Sequence, residues 1–91
     1  MTFLAMLTIV DPELNQKVRP SHLRYISDLY RQGKVLMAGP FGDGSGGLVI
    51  YHNVEEAEAK ELAEADPVVQ SGARTLKLVP WTVLTLPIVE S

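Results

Sequence analysis

Gly42-Asp43-Gly44-Ser45-Gly46-Gly47-Leu48-Val49-Ile50-Tyr51-His52 (GDGSGGLVIYH) carries two conflicting signals side by side. Its first six residues satisfy G-x-G-x-x-G, the spacing by which dinucleotide-binding folds cradle a pyrophosphate. That role requires the last glycine to open a helix whose free N–H groups and dipole face the anion. Here Leu48 to Tyr51 follow, an apolar and β-branched run that reads as a strand. As a G-x-x-x-x-G phosphate loop the segment fails as well, because Leu48-Val49 stands where Lys and then Ser or Thr are needed. Nor does Ser45 make a nucleophile elbow, since Asp43 occupies a required glycine position. The glycines therefore predict a hairpin turn between two strands, and a nucleotide fold is set aside.

Outward from that hairpin the chain alternates strands and helices. Phe3 to Val10 is a strand ended by Asp11-Pro12. Pro20 at a helix start and Gly33 just past its end predict a first helix over about residues 20–32. Strands are predicted for residues 34–39 and 47–52 on either side of the glycine turn. Asn53 followed by Glu56 resembles a capping box, and the alanine-rich, acidic stretch behind it predicts a helix over about 54–65, stopped where Asp66 precedes Pro67. Thr75 to Val79 alternates as a half-buried fourth strand. The order βαββαβ in one small domain, residues 1–91, is that of the ferredoxin-like α+β fold, an antiparallel sheet with both helices on one face. Residues 80–91 form an apolar C-terminal extension, uncharged from 80 to 89, expected to cover a partner or the chain's own sheet.

Composition narrows the function classes. The chain has 91 residues, 46% of them hydrophobic, and a net charge of −3, which gives no electrostatic footprint for nucleic acid and no polybasic stretch for a membrane surface. The first eleven residues lack the basic region and small-residue cleavage site of a signal peptide, so a cytoplasmic location is expected. There is no cysteine, and His22 and His52 lie outside any zinc spacing, so neither disulfides nor a metal is expected. A small domain without such staples is expected to gain core by forming a homodimer or higher oligomer.

The chemistry-bearing candidates are few. His22, Ile26 and Leu29 share one stripe of the first helix, the stripe that packs on the sheet. Asp66 continues the inner face of the second helix four residues after Leu62, and a buried carboxylate needs a partner. Side-by-side helices bring a His22–Asp66 contact within reach, in which the carboxylate orients the imidazole for general acid or base work. The plainer alternatives are a core histidine bonded to a backbone carbonyl and an aspartate that shapes the turn before Pro67 or caps a local N–H. Arg19 could pair with an anionic substrate, and Phe41 and Trp81 could wall an aromatic one.

Arg19-Pro20-Ser21-His22-Leu23, then Ala38-Gly39-Pro40, then Ala65-Asp66-Pro67 with Gly72 behind it, resemble the YciI-like (YCII-related) family of small bacterial proteins over nearly the whole chain. The resemblance implies a ferredoxin-like fold that dimerises through its sheets into an α/β barrel, as muconolactone isomerase-like proteins also do. It implies a histidine–aspartate dyad, falling on His22 and Asp66, and no cofactor. One characterised branch eliminates HCl from a chlorinated hydroxyhydroquinone. The short glycine-rich loop and the apolar tail depart from the family, and the loop is expected to border the pocket. Arg19, Gly39, Pro40, Phe41 and Ser45 are accordingly the expected substrate-binding residues, beside catalytic His22 and Asp66. The expected function is a cofactor-independent lyase or isomerase acting on a small cyclic or phenolic metabolite. The alternative is a non-catalytic binding or accessory module of the same fold.

Overall fold

A computed structural model describes residues 1–88. The elements are β1 (Thr2–Ile9), α1 (Pro12–Arg31), β2 (Val35–Pro40), β3 (Gly46–Tyr51), α2 (Glu56–Glu64), α3 (Pro67–Gln70) and β4 (Arg74–Trp81). The four strands make one sheet in the order β2-β3-β1-β4, every neighbouring pair antiparallel. This is the ferredoxin-like α+β architecture that the alternation of elements predicts.

Register decides which side chains meet the helices. Phe3, Ala5 and Leu7 of β1 lie opposite Tyr51, Val49 and Gly47 of β3, and opposite Pro80, Leu78 and Leu76 of β4. Because strand side chains alternate, these residues share one face, and that face carries the core together with Leu29, Ala59, Ala63 and Val68 from the helices. The intervening positions Leu4, Met6, Leu48, Ile50, Val79 and Trp81 point to the other face, which no helix covers. Met6, Met37 and Trp81 are exposed there.

The first helix begins eight residues earlier than Pro20 suggests. Asp11 caps it by accepting the Leu14 N–H at 3.1 Å, Pro12 sits in the first turn, and Glu13 adds a favourable charge at that end. Pro20 thus lies inside the helix, where it removes the N–H that would bond the Gln16 carbonyl. Both residues are solvent-exposed, so water can satisfy that carbonyl and the helix continues. A proline in the sequence marks either a helix start or a tolerated interior site, and exposure decides between them.

Asn53 is not the cap of α2. The helix starts after Glu55, which makes no side-chain cap, while Asn53 adopts a left-handed φ of 57° and donates through Nδ2 to the Gly33 carbonyl at 3.0 Å. Its amide ties the loop to the end of α1 instead. The stretch after Pro67, for which the sequence reading assigns no element, forms the short helix α3. The fourth strand runs longer than its alternating centre and takes in Pro80 and Trp81. Beyond it Val83, Leu84, Leu86 and Ile88 remain exposed and do not fold back over the sheet. The remainder of the expected extension, residues 89–91, lies outside the described residues.

The glycine segment is a hairpin. Phe41 N–H donates to the Gly46 carbonyl at 2.8 Å and Gly44 N–H to the Phe41 carbonyl at 3.1 Å, with Gly44 at φ 76°. Gly46 already belongs to β3, where an added Cβ would overlap the Leu7 carbonyl oxygen. Close approach of two backbones, rather than turn geometry, requires glycine at that position.

Candidate functional site

α1 and α3 meet where His22 faces Asp66. Both oxygens of the Asp66 carboxylate lie 2.8 Å from Nδ1 of His22, and the two residues are 5% and 1% exposed. A carboxylate only accepts, so Nδ1 carries the hydrogen. In the neutral ring Nε2 then holds the lone pair, and among the described residues no protein group hydrogen-bonds to it. Asp66 has a second duty: Oδ1 accepts the Val68 N–H at 3.1 Å and so caps α3. The local sequence enforces this, since Pro67 is a favourable first residue of a helix and aspartate a favourable cap.

Two tyrosines stand in the same buried neighbourhood. Tyr25 Oη donates to the Leu62 carbonyl at 2.7 Å, and burial, then the Asp66 charge, raise its pKa above 10.0. Tyr51 is fully buried, and its hydroxyl has no partner among the described residues. Burial first, then the charge of Asp66 and the proximity of Tyr25, push its pKa strongly upward.

His22 borders a cavity of about 160 Å³ between α1 and the sheet. From α1 it is lined by Arg19, His22, Leu23 and Ile26, positions that recur on one helical face. Ala38, Gly39 and Pro40 of β2 close one side against the start of β3, with Leu7 and Arg74 completing the floor. Gly47 lies in the lining, where close approach to β2 requires glycine, because a Cβ there would lie 2.8 Å from the Gly39 carbonyl oxygen.

Of the residues singled out from sequence, the cavity brings together His22, Arg19, Gly39 and Pro40, with Asp66 behind the imidazole. Phe41 and Ser45 do not line it. Phe41 lies on a groove of the opposite sheet face, with Met37 and Ile50, and Ser45 lies in the hairpin turn, where its N–H donates to Asp43 Oδ1 at 2.9 Å. The cavity lining stops at Pro40 and resumes at Gly47, so of the glycine run expected to border the pocket only Gly47 lines the cavity. Trp81 ends β4 on the open face, and His52 follows β3 with its N–H donating to the Lys34 carbonyl at 3.0 Å. Among the described residues no cluster of His, Asp and Glu is arranged to hold a metal ion, and no helix is long and apolar enough to cross a membrane.

Arg74 and Asn15 are the residues that sequence reading missed. Arg74 is 9% exposed and its Nε donates to Asn15 Oδ1 at 2.7 Å. A signal existed: extending the alternation of Leu76 and Leu78 back by two puts Arg74 on the core face, where an arginine calls for explanation.

Comparisons with known proteins bear on the fold and the family. The uncharacterized protein YjpA of Bacillus subtilis (strain 168) is 33% identical over 76 residues, which cover 84% of this chain and 89% of that protein. The solved structure of 5-chloro-2-hydroxyhydroquinone dehydrochlorinase (TftG) from Burkholderia phenoliruptrix AC1100, in complex with 2,5-dihydroxybenzoquinone, superposes with a TM-score of 0.74 over 90% of this chain and 94% of that one. At 21% identity that likeness establishes a common fold. The sequence profile of the YCII-related domain matches residues 1–82, and with the relative from B. subtilis it establishes that the chain belongs to the YCII-related domain family.

Proposed function

We propose that the protein is a cofactor-independent lyase or isomerase in which His22 moves a proton on a small cyclic molecule. The observation that carries this reading is the division of labour on one ring: Nδ1 is fixed by Asp66, while the ring borders the cavity and Nε2 has no protein partner among the described residues. Such an imidazole is set up as a general base. Nε2 takes a proton from a carbon acid of the bound molecule. The electron pair left behind then either expels a leaving group, giving an elimination, or shifts along the ring system and is reprotonated, giving an isomerisation. The carboxylate of Asp66 stabilises the imidazolium formed in between. A cavity near 160 Å³ suits a single six-membered ring, since an engineered apolar cavity of about 150 Å³ binds benzene. The dehydrochlorinase that shares the fold is named for a substrate of that size class.

The test is chloride release from 5-chloro-2-hydroxyhydroquinone, together with solvent deuterium uptake at the ring carbons of unchlorinated hydroxyquinols and quinones followed by NMR. His22→Ala should lower either rate by roughly 10²–10⁴ while the protein stays folded. Equal rates in the two proteins would remove His22 from the chemistry.

The second reading is a binding or accessory module in which the pair is structural. Asp66 capping α3 favours it, because that duty alone explains a buried aspartate at this position. A homodimer formed through the open sheet face belongs to either reading, and the exposed Met6, Met37 and Trp81 on that face support it.

A further inference from the structure

The cavity beside His22 has an uneven electrostatic lining. Arg19 and Arg74 both border it and no acidic side chain does, although the chain as a whole carries a net charge of −3. The two arginines differ in depth. Arg19 is exposed and stands at the rim, whereas Arg74 is nearly buried. Among the described residues Arg74 forms no salt bridge; its single side-chain hydrogen bond, from Nε to Asn15, uses one of five donors. Buried charges are ordinarily paired, because an uncompensated one is costly. The Asp66 carboxylate is near enough to favour the charged form of Arg74 but is itself taken up by His22 and Val68. Burial and then Arg19 act the other way, lowering the arginine's pKa against the pull of Asp66. With Nε held by Asn15 the guanidinium is pre-oriented, and its terminal nitrogens have no protein acceptor among the described residues.

We propose that Arg19 and Arg74 form an anion subsite in this cavity, which takes the carboxylate of a small ring compound and sets the ring against Nε2 of His22. Two parallel N–H···O bonds from one guanidinium fit a carboxylate, and the second arginine adds charge from the rim. The subsite selects substrates by charge, and Asn15 acts as the positioning residue for Arg74. This assignment rests on the reading of the cavity as the substrate site, but it concerns binding alone and is tested without turnover.

The experiment titrates the full chain with benzoate and with its neutral counterpart benzamide, by calorimetry and by chemical-shift changes at the His22 ring and the Arg74 Nε–H. Benzoate should bind at least tenfold more tightly than benzamide. Arg74→Met should weaken benzoate roughly tenfold to a hundredfold, the range for a hydrogen bond to a charged group, and leave benzamide unchanged. Arg74→Lys, which keeps the charge and removes the planar fork, guards against a folding failure of the methionine variant and should show an intermediate loss. Equal affinity of the two compounds for the wild-type protein, or benzoate affinity unchanged in both Arg74 variants, would overturn the subsite. His22→Asn separates this from the catalytic reading: it should abolish proton transfer and retain the preference for benzoate over benzamide.

Discussion

Asp66 holds the Nδ1 of His22 with both carboxylate oxygens at 2.8 Å and, through one of them, the N–H of Val68 at 3.1 Å. One buried group therefore orients an imidazole and starts a helix. The two duties can be separated by substitution, because a cap needs only an acceptor whereas the imidazole needs a group that never donates.

Asp66→Asn keeps a good cap but presents an amide that can donate to Nδ1, which would move the ring proton to Nε2 and remove the base. Turnover should fall about as far as in His22→Ala, with a stability loss of about 1–2 kcal/mol. Asp66→Ala loses both bonds and should cost about 3–5 kcal/mol. Urea denaturation of the three variants beside their rates decides the matter: an Asn variant with full activity would show that the tautomer is irrelevant.

Tyr51 offers a change that should stabilise. Its buried hydroxyl has no partner among the described residues, so Tyr51→Phe removes a desolvated polar group and should raise stability by about 1 kcal/mol. The same burial predicts the alkaline behaviour. Folded-state pKa values raised above 10.0 at Tyr25 and Tyr51 leave stability fully present below the unfolded tyrosine value and erode it as pH rises beyond 10.0 toward the folded values. Denaturation midpoints followed upward from pH 9 should fall less steeply in Tyr51→Phe; identical slopes would exclude Tyr51 as a source.

The hairpin glycines separate by cause. Gly46→Ala drives a methyl group into the Leu7 carbonyl across the β1–β3 pairing and should cost more than about 2 kcal/mol. Gly44→Ala meets open space and bears only the left-handed backbone cost of about 1 kcal/mol. Since Gly44 does not line the cavity, Gly44→Ala should leave benzoate affinity unaltered. An affinity change without loss of fold would assign the loop a part in ligand entry.

Met37 tests the open face. It is 58% exposed beside Ile50 on the side of the sheet without helices. If the protein associates through that face, Met37→Glu should shift sedimentation toward the monomer with little effect on the monomer's fold, since it buries nothing in the core. An unaltered mass would place association elsewhere or exclude it.

Much of the architecture is legible in the chain because it rests on local rules. Leu48 to Tyr51 after the glycines reads as a strand, which rejects the nucleotide motif, and the elements on either side of it complete the order βαββαβ. Element boundaries are less legible where one residue type serves two purposes. Pro20 reads as a helix start and Asn53 as a cap, yet exposure makes the first an interior residue and the Gly33 carbonyl claims the second.

The sequence by itself pointed His22 inward, because helical spacing puts it on a buried stripe, but it placed Asp66 on the inner face of the second helix, whereas α2 ends at Glu64 and Asp66 is buried as the cap of α3. Only the tertiary structure decided that the two residues meet, that Asp66 also caps α3, and that Arg74 from the far end of the chain shares the cavity with Arg19. Those outcomes depend on the crossing of helices over the sheet and on pairing between residues separated by 44 and 59 positions. Periodicity can say which way a side chain points. What it points at is set by packing between distant elements.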